Sequence, residues 1–251
     1  MMKLDIEELL PIAVKAGEAI MQMYNTADMG IGYKQDSSPL TLADKASHDV
    51  IVKALHQLTP GIPVLSEEGA SIPYEERSKW EYFWCIDPLD GTKEFIKRNG
   101  EFAVNIALIH QQQPIAGVIY IPVTGTLYYA DEKGAKKKTA DGIVTDLQVD
   151  KSAKEWVAVG SRSHASEEEG ALLKAYPVTK TITIGSSLKF CMIAEGQAHI
   201  YYRKGPTMEW DTAAGHAIIT YSGGQLTTPN GDVFLYNKPS LLNGSFLCKV
   251  Y

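Results

Sequence analysis

Acidic residues gather at three separate places in this 251-residue chain, each suited to hard-cation chemistry. The densest is Trp84-Cys85-Ile86-Asp87-Pro88-Leu89-Asp90-Gly91-Thr92. The apolar run Tyr82 to Ile86 predicts a strand that delivers Asp87 and Asp90 at its end, where Pro88 and Gly91 force a turn. Two carboxylates in one turn can converge on a cation, and the intervening Leu89 carbonyl is a further oxygen ligand. Neither His nor Cys takes part, so the donors suit Mg²⁺ rather than zinc. Past the turn, the Gly91 and Thr92 amides can donate to an anionic oxygen, because a helix start leaves its first N–H groups unpaired. The plain alternative, a helix N-terminus capped by Asp and Thr, explains any single acid here better than it explains the whole string.

Glu67-Glu68 stands at another strand end, after Pro63 to Ser66 and before Gly69. Asp211 opens the run Thr212-Ala213-Ala214-Gly215-His216, where an ordinary N-cap is equally expected. Asp44 closes Thr41-Leu42-Ala43-Asp44, which has the form of a capping box and so has a local explanation of its own. If four carboxylates do converge, unit charges about 4 Å apart at an effective dielectric near 20 repel by roughly 4 kcal/mol, and divalent ions are needed to neutralise them.

In order and spacing, Glu67-Glu68, the string from Trp84 to Thr92, and Trp210-Asp211-Thr212-Ala213-Ala214-Gly215 resemble the signatures of the inositol monophosphatase superfamily, the magnesium-dependent, lithium-sensitive phosphomonoesterases. The resemblance implies that Glu67, Asp87, Asp90, Asp211 and the Leu89 carbonyl hold two or three Mg²⁺ ions. It further implies that Asp44 and Thr92 orient and activate the attacking water, with Glu68 supporting the site. Within the superfamily the chain is most similar to the 3′(2′),5′-bisphosphate nucleotidases, through Ser161-Arg162-Ser163-His164, Gly185-Ser186-Ser187-Leu188-Lys189-Phe190-Cys191 and Tyr202-Arg203-Lys204-Gly205-Pro206-Thr207. Inositol-specific members tend to carry Glu where this chain has Arg203, and a cation there suits a second phosphate rather than a polyol.

The implied substrate is adenosine 3′,5′-bisphosphate, with 3′-phosphoadenosine 5′-phosphosulfate as a further one and a link to sulfur metabolism. Glu67, Leu89, Asp90, Gly91, Thr92 and Asp211 then surround the reacting phosphate, and Ser161, His164, Gly185, Lys189 and Arg203 meet the nucleotide. Lys189 and His164 would add donors to the 5′-phosphate, and the Gly185 to Ser187 turn would let the nucleotide approach the backbone. The plain alternatives are a solvated Arg203 or Lys204 and a His164 that only caps a loop. A broader sugar or inositol phosphatase of the same fold is the alternative enzyme, and a non-catalytic metal- or nucleotide-binding module is the alternative from another class.

The implied fold is a layered α-β-α-β-α sugar-phosphatase arrangement, and the element pattern agrees with it. Ile6, Leu9, Leu10, Ala13, Gly17, Ile20 and Tyr24 form one face of a helix, and a second helix runs from the capping box through Leu58 to Pro60-Gly61. Short β-rich runs follow at Pro63 to Ser66, Tyr82 to Ile86, Phe102 to Ile109, Ile115 to Ile121 and Thr126 to Ala130. Lys136-Lys137-Lys138 reads as a solvated turn between strands. Residues 1–150 thus form an α+β half with a largely antiparallel sheet that carries most of the metal ligands. Residues 151–251 form an α/β half with Asp211 and the specificity residues: strand Trp156 to Gly160, helix Ser166 to Ala175, strand Thr179 to Ile184, helix Ser187 to Ala194, strand Ala198 to Tyr202 and helix Thr212 to Tyr221. The run Glu167-Glu168-Glu169 complements a helix start and needs no functional reading.

Composition narrows the class further. Hydrophobic residues at 45% and charged residues at 22% are globular values. Lys plus Arg at 24 against Asp plus Glu at 30 gives a net charge of −6, which argues against nucleic-acid polymers and leaves an anionic substrate to be attracted by metal ions. The three cysteines, Cys85, Cys191 and Cys248, form no CxxC pair, so neither a disulfide framework nor a zinc site is indicated, and Cys85 and Cys191 are expected to be buried and inert. Met1 to Leu10, with Asp5, Glu7 and Glu8, does not read as a signal peptide, and no apolar stretch reaches 18 residues. The expectation is a cytoplasmic protein with no transmembrane segment, peripheral contact with the cytoplasmic side of the inner membrane being left open.

Overall fold

A computed structural model describes residues 4–25, 32–33, 39–40, 42–162 and 167–251. After a 3-10 turn at Ile6–Leu9, with Pro11 in its first turn, α1 spans Leu10–Tyr24; the short strands β1 (Gly32–Tyr33) and β2 (Pro39–Leu40) pair before α2 (Leu42–Leu58). Then come β3 (Val64–Ser66), α3 (Tyr74–Arg77), β4 (Tyr82–Asp90) and α4 (Thr92–Ile96), followed by β5 (Ala103–His110), β6 (Gln113–Ile121), β7 (Thr126–Asp131), β8 (Gly134–Lys138) and β9 (Val144–Leu147). The remainder is β10 (Trp156–Ser161), α5 (Glu167–Leu173), β11 (Val178–Ile184), α6 (Leu188–Ala194), β12 (Ile200–Arg203), β13 (Thr207–Met208), α7 (Glu209–Tyr221), β14 (Gln225–Thr227), β15 (Leu242–Asn243) and β16 (Phe246–Lys249).

Strands β3 to β9 lie side by side in chain order in a seven-stranded sheet, antiparallel except for the β3–β4 pair. The five-stranded sheet runs β11-β10-β12-β16-β14, parallel across its first three strands and antiparallel beyond. Helices α1 and α2 pair on one face of the large sheet, where Leu9, Ala13, Ile20, Ile51 and Leu55 are fully buried with Trp84, Ile106 and Val118. Helices α6 and α7 fill the space between the sheets, and α5 covers the outside of the small one, giving the five layers expected. The change of sheet falls between β9 and β10, but the core does not divide there: one cluster runs from Leu65 and Phe83 through Ile193 to Phe246 and Val250.

The small residues of α7 allow this packing. A Cβ on Gly215 would stand 2.2 Å from the ring of Phe190 on α6, so only glycine admits that contact.

Two expectations are corrected. Lys136 to Lys138 is not a turn but most of strand β8, paired with β7 and β9. Lysine next to a sheet edge keeps its charge in water, and Lys137 bonds Glu195 at 2.9 Å and lies over the Tyr128 ring, so three lysines obscure a strand without preventing one. The first-half strand that carries the acidic string does not stop at Ile86; it continues to Asp90 through an irregularity.

Candidate active site

That irregularity places the carboxylates. Asp87 pairs with Asn105 and Asp90 with Ala103, so β4 spends three steps where β5 spends two. In a regular strand, residues three apart face opposite sides; the extra residue of a bulge restores both to one side. The chain then turns at Gly91, which has φ 95° and whose Cβ would lie 2.9 Å from the Glu101 carbonyl, so a left-handed conformation and a close approach both demand glycine.

Glu67, at the end of β3, and Asp211, in the first turn of α7, meet Asp87 so closely that one carboxylate oxygen of each lies within 4.8 Å of the others. Three elements from both halves of the chain therefore converge. Asp211 is not the N-cap: α7 begins two residues earlier, Met208 takes the cap position, and the Asp211 carboxylate accepts the Met208 N–H at 2.8 Å. The capping bond thus accounts for one of its oxygens.

Burial pushes the Asp87 carboxyl well above the ordinary carboxylate range, and the charges of Glu67, Asp90, Asp211 and Asp44 push it further. Asp211 is raised in the same way, first by burial and then by Asp90, with the Met208 N–H opposing. A cluster of oxygen donors that cannot all stay ionised without a compensating charge fits a divalent cation, and nothing softer than oxygen is present among its donors.

Asp44 is fully buried in the first turn of α2, close enough to be felt at Asp87. One turn further on, the Ser47 hydroxyl donates to the Pro88 carbonyl at 2.7 Å, fastening α2 to the bulge, and His48 bonds the Ser66 hydroxyl at 2.8 Å next to Glu67. Thr41, the other half of the predicted capping box, lies outside the described residues. Thr92 begins α4 and its hydroxyl donates to the Leu89 carbonyl at 3.3 Å. Neither Asp44 nor the half-buried Glu68 lines the cleft that Glu67, Asp87, Asp90 and Asp211 share.

That cleft has a volume of about 290 Å³ and is lined by Glu67, Asp87, Leu89, Asp90, Gly91 and Thr92 from the first half. Ser161, Gly185, Lys189, Arg203 and Asp211 line it from the second. His164 lies outside the described residues. Arg203 is 4% exposed, with its guanidinium 3.3 Å from the Pro206 carbonyl and 3.9 Å from Glu169. It is not a solvated cation. Lys204 is the solvent-facing neighbour, paired with Glu168, so the run Glu167-Glu168-Glu169 does more than complement a helix: two of its carboxylates hold the end of β12.

The Lys189 ammonium donates to the carbonyls of Ser186 at 2.5 Å and Ile184 at 3.3 Å; burial, opposed by Asp90, lowers its pKa to about 8. The close approach at Gly185 is to protein: its Cβ would meet Glu94 at 2.7 Å, and its N–H donates to Glu101 at 2.8 Å. Glu101 also takes a bidentate pair from Arg162 at 2.6 and 2.7 Å, binding the two halves at the rim. All three cysteines are buried, and burial raises each thiol, as expected for inert residues.

Sequence reasoning did not single out Asn105, Glu101, Tyr201 or Phe246, all at or beside the cleft. Asn105 had a signal: it is the one polar residue in the apolar run Phe102 to Ile109, and a buried amide must find partners. Glu101, Tyr201 and Phe246 arrive through tertiary packing.

Known proteins resemble the chain in both sequence and fold. The model of the inositol monophosphatase family matches residues 5–249. The chain is 48% identical to the 3′(2′),5′-bisphosphate nucleotidase CysQ of Salmonella typhimurium, over 98% of this chain and all of that protein, and 47% identical to the CysQ of Escherichia coli K12 at the same coverage. Among solved structures, CysQ from Bacteroides thetaiotaomicron superposes with a TM-score of 0.85 at 40% identity, covering 97% of this chain and 96% of that one. An inositol monophosphatase from Anabaena superposes with a TM-score of 0.77 at 23% identity over 98% of this chain and 90% of its own, which speaks for the fold.

Proposed function

The chain belongs to the inositol monophosphatase family, and from that premise we propose that it works as a 3′(2′),5′-bisphosphate nucleotidase. It hydrolyses the 3′-phosphate of adenosine 3′,5′-bisphosphate to AMP and phosphate, and acts on 3′-phosphoadenosine 5′-phosphosulfate through the same ester. The observation that carries the reading is a buried cation, Arg203, in the same cleft as the carboxylate cluster: one end of the cleft suits a reacting phosphate and the other a second phosphate that does not react. The substrate is a small molecule, and among the described residues no helix is long and apolar enough to cross a membrane. Three buried, unpaired thiols suit a cytoplasmic setting.

Glu67, Asp87, Asp90, Asp211 and the Leu89 carbonyl would hold two or three Mg²⁺ ions. When bound, the ions supply Lewis acidity to the phosphoryl oxygens and lower the pKa of the attacking water. Thr92 would orient that water in line with phosphorus by accepting a hydrogen bond from it, and the Asp44 carboxylate would take its proton. Thr92 is placed for this by its contact with the Leu89 carbonyl, and Asp44 by the Ser47 link that holds α2 to the bulge. The first N–H groups of α4 meet the phosphoryl oxygens as charge develops. Arg203, and the one Lys189 donor not given to Ser186 and Ile184, meet the 5′-phosphate, where a planar guanidinium suits an anionic group. Ser161 and Gly185 border the nucleotide.

The test is phosphate release from adenosine 3′,5′-bisphosphate, inositol 1-phosphate and fructose 1,6-bisphosphate, each with Mg²⁺ and with chelator. The reading expects the bisphosphate nucleotide to lead in kcat/KM and all release to require Mg²⁺. Preference for inositol 1-phosphate would make the chain a polyol phosphatase of the same fold.

A further inference from the structure

Among the described residues, the carboxylate of Asp90 is held through one of its two oxygens. Its Oδ2 accepts the Ser186 hydroxyl at 2.6 Å, the Ser187 N–H at 2.5 Å and the Asn105 side-chain amide at 3.3 Å. Among the described residues no hydrogen bond falls on Oδ1. The Asn105 amide is fixed in turn: its oxygen accepts the Ser187 hydroxyl at 2.8 Å, which leaves its NH₂ to face the carboxylate. Asn105 and Ser187 are both buried, at 1% and 2% exposure, so water does not compete for these bonds.

Two local sacrifices accompany the arrangement. Ser186 has φ 57°, a left-handed conformation unfavourable for a side-chain-bearing residue, although a glycine stands immediately before it. Ser187 is the N-cap of α6, yet its hydroxyl makes no capping bond and goes to Asn105 instead. Backbone strain and a forgone cap, side by side and both directed at one carboxylate, point to a functional constraint. The loop is pinned from its other side as well, by Lys189 on the Ser186 carbonyl and by Glu101 on the Gly185 N–H.

We propose that Ser186, Ser187 and Asn105 are positioning residues for the metal centre: by locking Oδ2 of Asp90 they present Oδ1 to the cation, and they tie the loop that borders the nucleotide to the state of that ligand. The proposal rests on the reading of Asp90 as a metal ligand. Its consequence is reciprocal coupling, because one carboxylate serves both the cation and the loop: loosening the loop weakens Mg²⁺, and removing Mg²⁺ loosens the loop.

The test is calorimetric titration of Mg²⁺ into the metal-free full chain, alongside its melting temperature. Ser186→Gly removes the hydroxyl and relieves the positive φ, so the protein should melt at the same temperature or higher while its Mg²⁺ affinity falls about fivefold or more. A structural role would move both in the same direction. Ser187→Ala and Asn105→Ala should each weaken Mg²⁺ by a similar factor, and the double variant no further, since they belong to one chain of bonds. Ser222→Ala, which removes an equally buried hydroxyl from the far end of α7, should leave Mg²⁺ binding unchanged. Wild-type affinity in Ser186→Gly and Ser187→Ala, with Mg²⁺ binding still abolished by Asp87→Asn, would overturn this inference alone. Unaltered binding in Asp87→Asn would overturn the metal site beneath it.

Discussion

Replacing Asp87 by Asn should stabilise the metal-free protein and disable the enzyme. The reason lies in the cluster: carboxylate oxygens of Glu67 and Asp211 lie within 4.8 Å of Asp87, and at that distance each unit charge repels by about 3.5 kcal/mol at an effective dielectric of 20. Proton uptake limits the cost, since a carboxyl pushed well above its ordinary range takes up a proton instead of bearing the full repulsion. What remains is therefore smaller than the full repulsion. Asparagine has nearly the same shape and keeps an oxygen to accept the Leu89 N–H that Asp87 now accepts at 3.1 Å, so the bulge loses no bond. At about 2 °C per kcal/mol for a chain of this size, each kcal/mol of relief should make the metal-free variant melt about 2 °C above metal-free wild type. Scanning calorimetry in chelator and then in Mg²⁺ reads both halves of the prediction: Mg²⁺ should raise the wild-type melting temperature and leave that of Asp87→Asn nearly unmoved, with kcat/KM down by about 10² or more. A metal-free variant that melts below wild type, with an undiminished Mg²⁺ shift, would refute the idea that charge repulsion in this cluster is what the cation relieves.

The pH dependence follows from the same two residues. As pH falls through the raised values of Asp87 and Asp211, protons compete with the cation, so the Mg²⁺-induced melting shift should shrink from pH 8 towards pH 5. In metal-free protein the raised folded values cost stability above the ordinary carboxylate range, and the cost fades as pH falls; the gap between Asp87→Asn and wild type should therefore close on acidification. Buried His216, with its pKa lowered to about 4, works in the opposite sense in both proteins and cancels in that difference. Thr92→Ala and Asp44→Asn should each lower kcat by about 10² with a smaller change in Mg²⁺ affinity measured by calorimetry; a lower melting temperature with unchanged kcat would make Asp44 a structural residue only. Arg203→Ala should cost about 1.5–3 kcal/mol in kcat/KM for adenosine 3′,5′-bisphosphate and almost nothing for adenosine 3′-monophosphate, with Glu169→Gln as the control for disturbing the buried pair; equal losses on both substrates would remove Arg203 from phosphate recognition.

The proposed metal ligands were legible because three of them, Asp87, Asp90 and the Leu89 carbonyl, lie within four residues, and the spacing of such a turn is a local property. How they converge was not. The bulge is defined by the register of β4 against β5, a contact between residues 13 or more apart, and the sequence of β4 alone reads equally well as a strand ending at Ile86. Asp211 was found with its local role misassigned, because Glu209 and Trp210 already lie inside α7 and the first turn starts earlier than the apolar pattern suggests. Arg203 was legible as a cation but not as a buried one: its burial depends on Glu169, 34 residues earlier, whose acidic neighbours resemble ordinary helix-start charge. Asn105 stood out only as a polar interruption in an apolar strand, and its partners Ser187 and Asp90 come from two other elements.

The most direct test of the central claim is to run the hydrolysis of adenosine 3′,5′-bisphosphate to completion in ¹⁸O-labelled water with Mg²⁺ and to identify both products. If the carboxylate-lined end of the cleft activates water against the 3′-phosphate, AMP is the only nucleotide product, all of the label is in the released phosphate, and chelator stops the reaction. Adenosine 3′-monophosphate as the product, label in the nucleotide, or release that persists in chelator would contradict it.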